Sequence, residues 1–323
     1  MWKHLLGTRL ESGYGSATTA EEVANDLIPQ SEECTVIITG ANDGIGKETA
    51  LQCAKSNVDV IMMGRNPTTL ASAVQEVRNA AHENASVFDI VMDLCDFDSV
   101  RNAANEVRDL ELRKPLKILL NNAGVMMHPR EVIDGVELHM RTNFFGHFLL
   151  TNELLPILEQ NAPSRVINVG SEAYHFAEPC MGLDDLSVEG KYVGGSRYGA
   201  SKLANALHAT DLAERLEGTG VQAVSLHPGM IPATKLGRHL GRLYDIFGFI
   251  VSPISKSIAQ GAATSIYCAF APELQSGGYY ADCCLLHDKH NVQNRVTKHV
   301  RTQLFRAARW HTLSECPFPV VQD

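Results

Sequence analysis

The fold is decided by one stretch, Cys34-Thr35-Val36-Ile37-Ile38-Thr39-Gly40-Ala41-Asn42-Asp43-Gly44-Ile45-Gly46. Its first half is an unbroken apolar, β-branched run, the pattern of a strand buried on both faces of a parallel sheet. Gly40 ends the run, and a helical stretch follows through about Lys55. A glycine turn between a first strand and its helix is where dinucleotide-binding folds receive a pyrophosphate at a helix N-terminus. Glycine permits positive φ and lets the backbone come close to phosphate oxygens. This reading sets Gly40, Asn42, Gly44, Ile45 and Gly46 against a cofactor. The spacing is G-x-x-x-G-x-G, not G-x-G-x-x-G, and a plain tight connection is the competing reading. A P-loop does not fit, because Glu48 follows Lys47 where Ser or Thr would close that motif.

Outward from this stretch the chain alternates. Asp59–Met63, Ala85–Met92, Leu116–Leu120, Arg165–Val169 and Val221–Leu226 read as further strands, and Tyr279–Cys283 as a candidate seventh. Helical patterns lie between them at about 68–84, 98–112, 135–160, 196–217 and 257–271. The implied class is α/β: a single doubly wound Rossmann domain, with a parallel sheet of about seven strands and helices on both faces. That domain spans 33–288, with a cap region at about 229–256. Residues 1–32 read as an N-terminal arm and 289–323 as a C-terminal tail. In the arm, Thr19 and Glu22 have the spacing of a capping box.

A chain of 323 residues, 45% hydrophobic, can bury a large core. A net charge of −9 with only 28 Lys and Arg, and no dense basic run, argues against a nucleic-acid surface. None of the eight Cys has Cys-x-x-Cys spacing, so neither a zinc site nor a redox dithiol is indicated and no metal is expected. Reduced thiols point to the cytoplasm. Met1–Gly7 is too short for a signal peptide, and no apolar run reaches the length of a transmembrane span. Leu243–Ile254, the most apolar late stretch, reads as a buried or lid helix, with peripheral membrane contact as the alternative.

Strand ends carry the chemistry in such sheets. About 20 residues beyond a glycine loop, an acidic residue usually binds the ribose 2′-hydroxyl of NAD. Here Arg65 stands at that place, and a guanidinium suits a 2′-phosphate. NADP is therefore favoured and NAD is the alternative; an ordinary solvated arginine is the bland reading. Asp93 after the third strand has the chemistry to bind an adenine amino group. Asn122, Ala123 and Gly124 after the fourth would let backbone approach the cofactor, although Asn, Asp and Gly also dominate plain turns. Tyr198 and Lys202 are four residues apart and share a helix face. A nearby ammonium lowers a phenol pKa from its usual value of roughly 10, which makes the pair a candidate acid/base unit. Alone, the spacing is a common coincidence.

In order, the chain presents Thr39-Gly40-x-x-x-Gly44-Ile45-Gly46, Asn121-Asn122-Ala123-Gly124, Asn143, Ser171, Tyr198-x-x-x-Lys202 and Pro228-Gly229. As a set, over about residues 33 to 285, these closely resemble the short-chain dehydrogenase/reductase family. Thr18–Glu22, Gly64-Arg65-Asn66, Gln260–Tyr267 and Pro272-Glu273-Leu274 resemble its retinol dehydrogenase and WW-domain-containing oxidoreductase branch. WW domains are absent, since the only tryptophans are Trp2 and Trp310.

The resemblance implies a small-molecule alcohol/carbonyl substrate, retinoid- or steroid-like, and hydride transfer to or from a nicotinamide. It implies that Tyr198 is the general acid or base, that Lys202 lowers its pKa and holds the ribose, and that Ser171 binds the substrate oxygen. Asn143 would hold a water in a proton relay. Pro228 and Gly229 would wall the nicotinamide, with Ile231 and Thr234 on its carboxamide side. Family members often pair through helices, so a homodimer is one implied arrangement. Gly170 departs from the pattern, standing where many relatives have a second serine, and Asp43 is unusual in the loop. The rival reading is a cofactor-binding regulatory or scaffold protein, which has no need of Asn143, Ser171, Tyr198 and Lys202 together.

Overall fold

A computed structural model describes residues 10–29, 33–177, 192–231, 255–286 and 298–313. The sheet comprises β1 (Thr35–Thr39), β2 (Asp59–Gly64), β3 (Val87–Val91), β4 (Leu116–Asn121), β7 (Ser164–Val169), β8 (Val221–Leu226), β9 (Tyr279–Ala281) and β10 (Cys284–Leu285). A separate hairpin pairs β5 (Val132–Ile133) with β6 (Val136–Glu137). The helices are α1 (Ala20–Leu27), α2 (Gly44–Lys55), α3 (Pro67–Ala80), α4 (Phe97–Asp109), α5 (Gly146–Gln160), α6 (Gly194–Arg215), α7 (Ile258–Phe270) and α8 (Lys298–Leu313).

The strand order is β10-β9-β8-β7-β4-β1-β2-β3. Every pairing is parallel except β9 with β10. The order reverses direction between β1 and β4, the switch point where doubly wound sheets open a crevice at their carboxyl edge. The Rossmann expectation therefore holds, with one strand more than seven. The run expected as a single seventh strand breaks because Asp282 and Cys283 take positive φ and turn the chain back as β10.

The strands read as continuous apolar runs because both faces are covered. Side chains alternate in direction along a strand. Val36 and Ile38 of β1 join one core layer with Ala50 of α2, Val74 of α3 and Ile266 of α7. Ile37, between them, joins the opposite layer with Val100 of α4, Leu150 of α5 and Leu212 of α6. The arm belongs to the first layer: Ala20, Val23 and Ala24 of α1 are buried there. Its capping box forms as expected, with Glu22 N donating to Thr19 Oγ1 at 3.3 Å and Thr19 N to Glu22 Oε2 at 2.7 Å. A third cluster holds Phe144, Phe145, Phe148, Leu203 and Leu207 against Leu304, Phe305 and Ala308 of α8.

The helix expected over 135–160 needs correction. Asp134 and Gly135, both at positive φ, form the turn of the β5–β6 hairpin, the geometry that matches strand twist. A single helical turn, Leu138–Met140, then leads into a π-helical stretch, Arg141–Phe145, before α5 begins. Most of the expected cap region, 232–254, including Thr234 and Leu243–Ile254, lies outside the described residues. Among the described residues no helix is long and apolar enough to cross a membrane.

Candidate active site

The ends of β1 and β4 are tied together by one hydroxyl. Thr39 Oγ1 accepts from Asn122 N at 2.9 Å and from Ala123 N at 3.0 Å, while Asn122 Nδ2 donates to the Thr39 carbonyl at 2.8 Å. The glycine loop is pressed onto this junction. Gly40 has φ +65°, and a Cβ there would lie 2.9 Å from Ala123 Cα. A Cβ on Gly46 would lie 2.5 Å from both Asn122 Nδ2 and the Gly40 oxygen. These two glycines are thus required by packing as well as by any ligand.

Asp43, the unusual loop residue, caps α2: Gly44 N donates to its Oδ1 at 2.9 Å. Beyond that cap, the first amides of α2 have no partner one turn earlier and carry the positive end of the helix dipole. Asn42 leans away from them toward the β2 end, where its Oδ1 is 3.2 Å from the Cβ position of Gly64. Arg65 follows, exposed and without a hydrogen bond or ion pair among the described residues. Asp93 is half-buried and accepts from Cys95 N at 2.9 Å. Ile231 lies over Gly261 of α7, where a Cβ would be 2.0 Å from its Cδ1, and Ile45 Cγ1 is 3.6 Å from the same Cβ position. A glycine loop, open helix amides and an unpaired guanidinium fit the pyrophosphate and ribose of a dinucleotide.

Next along the carboxyl edge, Gly124 brings two other candidates together. Its Cβ position is 3.3 Å from Asn143 Oδ1 and 3.3 Å from Lys202 Nζ. Asn143 is buried in the π-helical stretch; its Oδ1 accepts from Val125 N at 2.8 Å, and its Nδ2 donates to the Val125 carbonyl at 2.9 Å. That Nδ2 also reaches Ser201 Oγ on α6, 3.0 Å away. Lys202 is buried too, and burial pulls its ammonium down to about 8. Its Nζ donates to the Val169 carbonyl at 2.9 Å and lies 5.9 Å from the Tyr198 ring centre.

Ser171 follows β7 and starts a 3-10 turn, Glu172–Phe176, accepting from Ala173 N at 3.1 Å. That turn packs directly on α6. A Cβ at Gly199 would be 2.4 Å from the Ala173 oxygen, so Gly199, inside the Tyr198–Lys202 motif, is what lets the two segments touch. Gly229 has φ +88° and lies against the stem of Lys256, which pairs with Asp282.

Other supports escaped sequence reasoning. Glu137, buried at the start of the helical turn, accepts from His139 Nδ1 at 2.6 Å and from Tyr192 OH at 3.1 Å. The His139 ring stands edge-on to Tyr198 with centres 6.3 Å apart. Gly170 faces Tyr279: a Cβ there would be 3.2 Å from Tyr279 Cε2, and the buried Tyr279 hydroxyl has no hydrogen-bond partner among the described residues. The Asp134-Gly135 turn signal could have placed Glu137; nothing in sequence pairs it with Tyr192.

Residues 34–183 match the family model described as short chain dehydrogenase. The chain is 42% identical over 267 residues to retinol dehydrogenase 12 of Mus musculus, covering 81% of this chain and 82% of that protein. It is 39% identical over 291 residues to short-chain dehydrogenase TIC 32 A, chloroplastic, of Brassica napus, covering 86% and 89%. Among solved structures, an uncharacterized protein from Mycobacterium paratuberculosis superposes with a TM-score of 0.69 at 27% identity, over 91% of this chain and 98% of that one.

Proposed function

The chain belongs to the short-chain dehydrogenase/reductase family, as an NAD(P)-dependent enzyme of CH–OH donors with retinol dehydrogenases among its relatives, and from that premise we propose that it interconverts a lipophilic alcohol and its carbonyl with NADP(H). The observation that carries this reading is the meeting of Gly124, Asn143 and Lys202, with Lys202 held beside Tyr198. When bound, the nicotinamide supplies or takes the hydride.

Tyr198 gives its proton to the carbonyl oxygen in reduction and takes it back in oxidation. Lys202 keeps positive charge beside the phenol and favours its ionised form. Ser171 donates to the substrate oxygen, where negative charge grows. Asn143 orders the proton path behind Lys202. The adenosine end rests on Arg65, whose unpaired guanidinium suits the 2′-phosphate of NADP. Pro228, Gly229 and Ile231 wall the nicotinamide.

The lipophilic substrate is inferred from the loops above the carboxyl edge. Met127, Phe176, Val193 and Met230 are all exposed there, in segments following β4, β7 and β8 and at the start of α6. Exposed apolar side chains on segments that all follow the carboxyl ends of strands favour an apolar ligand on that side of the sheet. The described cysteines are free thiols, which suits a reducing compartment such as the cytoplasm.

Turnover of a panel of apolar aldehydes and ketones with NADPH tests the reading. The wild type should reduce members of the panel, and Tyr198→Phe should lose at least a hundredfold in kcat. Full activity in Tyr198→Phe would refute the mechanism. Tight NADPH binding without turnover of any panel member would favour the regulatory alternative.

A further inference from the structure

His147 belongs to neither the glycine loop nor the Asn143/Ser171/Tyr198/Lys202 set, yet it touches both. It is buried on the first turn of α5. Its Nε2 is 2.8 Å from Thr39 Oγ1, and its Nδ1 is 2.9 Å from the Asn143 carbonyl oxygen.

The partners fix where the protons are. A hydroxyl has two lone pairs and one proton. Thr39 Oγ1 spends its lone pairs on Asn122 N and Ala123 N, so its proton is left for Nε2. A carbonyl oxygen only accepts, so Nδ1 must carry the ring hydrogen. Both demands select the same neutral tautomer. Burial pulls the imidazole down to about 4 although the bond to the Asn143 carbonyl favours the charged ring, so neutrality holds at working pH.

These bonds close a ring. Thr39 anchors the amides of Asn122 and Ala123, Asn143 anchors both backbone groups of Val125, and His147 joins the two anchors. Gly124, which lies against Lys202 Nζ, is the residue enclosed. We propose that His147 is a positioning residue, its imidazole tying the cofactor loop at Thr39 to the Asn143 segment and so setting the Asn122–Val125 loop against Lys202. The Asn143 half of this rests on the function proposed above.

Three variants separate the halves. His147→Asn retains a donor near Nδ1 but cannot reach Thr39. His147→Gln retains an acceptor that reaches Thr39 but loses the local donor. His147→Phe loses both. NADPH affinity is measured by fluorescence titration of the apo protein, kcat by carbonyl reduction, and folding by thermal melt. The expected pattern is a Kd about tenfold weaker in Asn and Phe with Gln near wild type, and a kcat about tenfold lower in Gln and Phe with Asn near wild type; tenfold corresponds to about 1.4 kcal/mol. Thr39→Val removes the same bond from the other side together with the hydroxyl's bonds to Asn122 N and Ala123 N, so it should weaken NADPH at least as much as His147→Asn, and adding His147→Asn to it should weaken NADPH no further; a further loss in the double variant overturns the tie. Equal losses of affinity and kcat in all variants, or unchanged NADPH affinity in Asn and Thr39→Val, overturn the proposal. The titrations need no turnover, so they stand even if the reaction assigned to Tyr198 fails.

Discussion

Lys202 donates to the carbonyl of Val169 at 2.9 Å while its Nζ sits 5.9 Å from the centre of the Tyr198 ring. The ammonium is thus held between a strand end and the Tyr198 ring, at the cost of its hydration. Lys202→Met keeps the stem and removes the charge. Activity should fall at least a hundredfold. Stability should stay level or rise, because a buried ion is replaced by an apolar group of similar shape. Activity assays and urea unfolding at neutral pH check both; a strongly destabilised variant would show the charge to be structural.

Arg65 is exposed and has no ion pair among the described residues, so its truncation costs the fold little. Arg65→Ala should weaken NADPH binding tenfold or more and leave NADH within about twofold, since only NADPH offers a phosphate for a charge-assisted bond. Titration with each nucleotide at two salt concentrations reads this directly. Equal weakening of both would remove Arg65 as the 2′-phosphate ligand.

Gly46→Ala places a methyl 2.5 Å from the Gly40 oxygen, a backbone atom with little freedom to yield. Overpacking of this kind costs about 1–3 kcal/mol, and the displaced loop should lose most of its NADPH affinity. Gly195→Ala is the matched control: nothing lies within 4 Å of its Cβ position. As a helical Gly→Ala change it should raise stability by about 0.5–1 kcal/mol. Similar effects at the two sites would contradict the packing account.

His208 is buried among Phe144, Phe148 and Phe305. Burial pulls its pKa down to about 3, as it pulls His147 to about 4. In the unfolded chain both bind a proton near pH 6.5; in the folded chain they do not. Their stabilisation is therefore complete above 6.5 and is lost as pH falls toward 4 and then 3, at about 1.4 kcal/mol per pH unit for each histidine. Urea midpoints should drop between pH 7 and pH 5, and His208→Leu should make that drop shallower. An unchanged slope in the variant would mean that another group carries the acid sensitivity.

The Tyr279 hydroxyl is buried without a partner. Replacing it with hydrogen should cost nothing, and relief of the desolvated group should gain up to about 1 kcal/mol. Thermal melts of Tyr279→Phe test this. A loss of more than 1 kcal/mol would reveal a bonded hydroxyl.

Legibility followed the physics of each element. β1, β4, β7 and β8 announced themselves because strands covered on both faces carry consecutive apolar residues, as in Val36-Ile37-Ile38 and Ile118-Leu119-Leu120. The capping box at Thr19 and Glu22 was legible because both of its bonds are local. The β5–β6 hairpin was not: Val136, Leu138 and Met140 continue an apolar pattern into α5, and that pattern hid the Asp134-Gly135 turn. β10 was hidden because its turn uses Asp282 and Cys283, residues that give no glycine signal for positive φ. In the site, residues at strand ends stood out by position. The contacts between them did not: a lone His147 in an apolar helix reads as core, and only coordinates show that Gly199 lets α6 touch the Ser171 turn.

The packing of α8 on the third cluster bears on the order in which the molecule matures during synthesis. The glycine loop and the Asn143 segment leave the ribosome before the rest of the domain, which folds as a unit. Yet the ring of Phe144, next to Asn143, meets that of Phe305 edge-on with centres 6.3 Å apart, and Phe305 is made much later. The aromatic packing behind Asn143 is therefore complete only once α8 has been made.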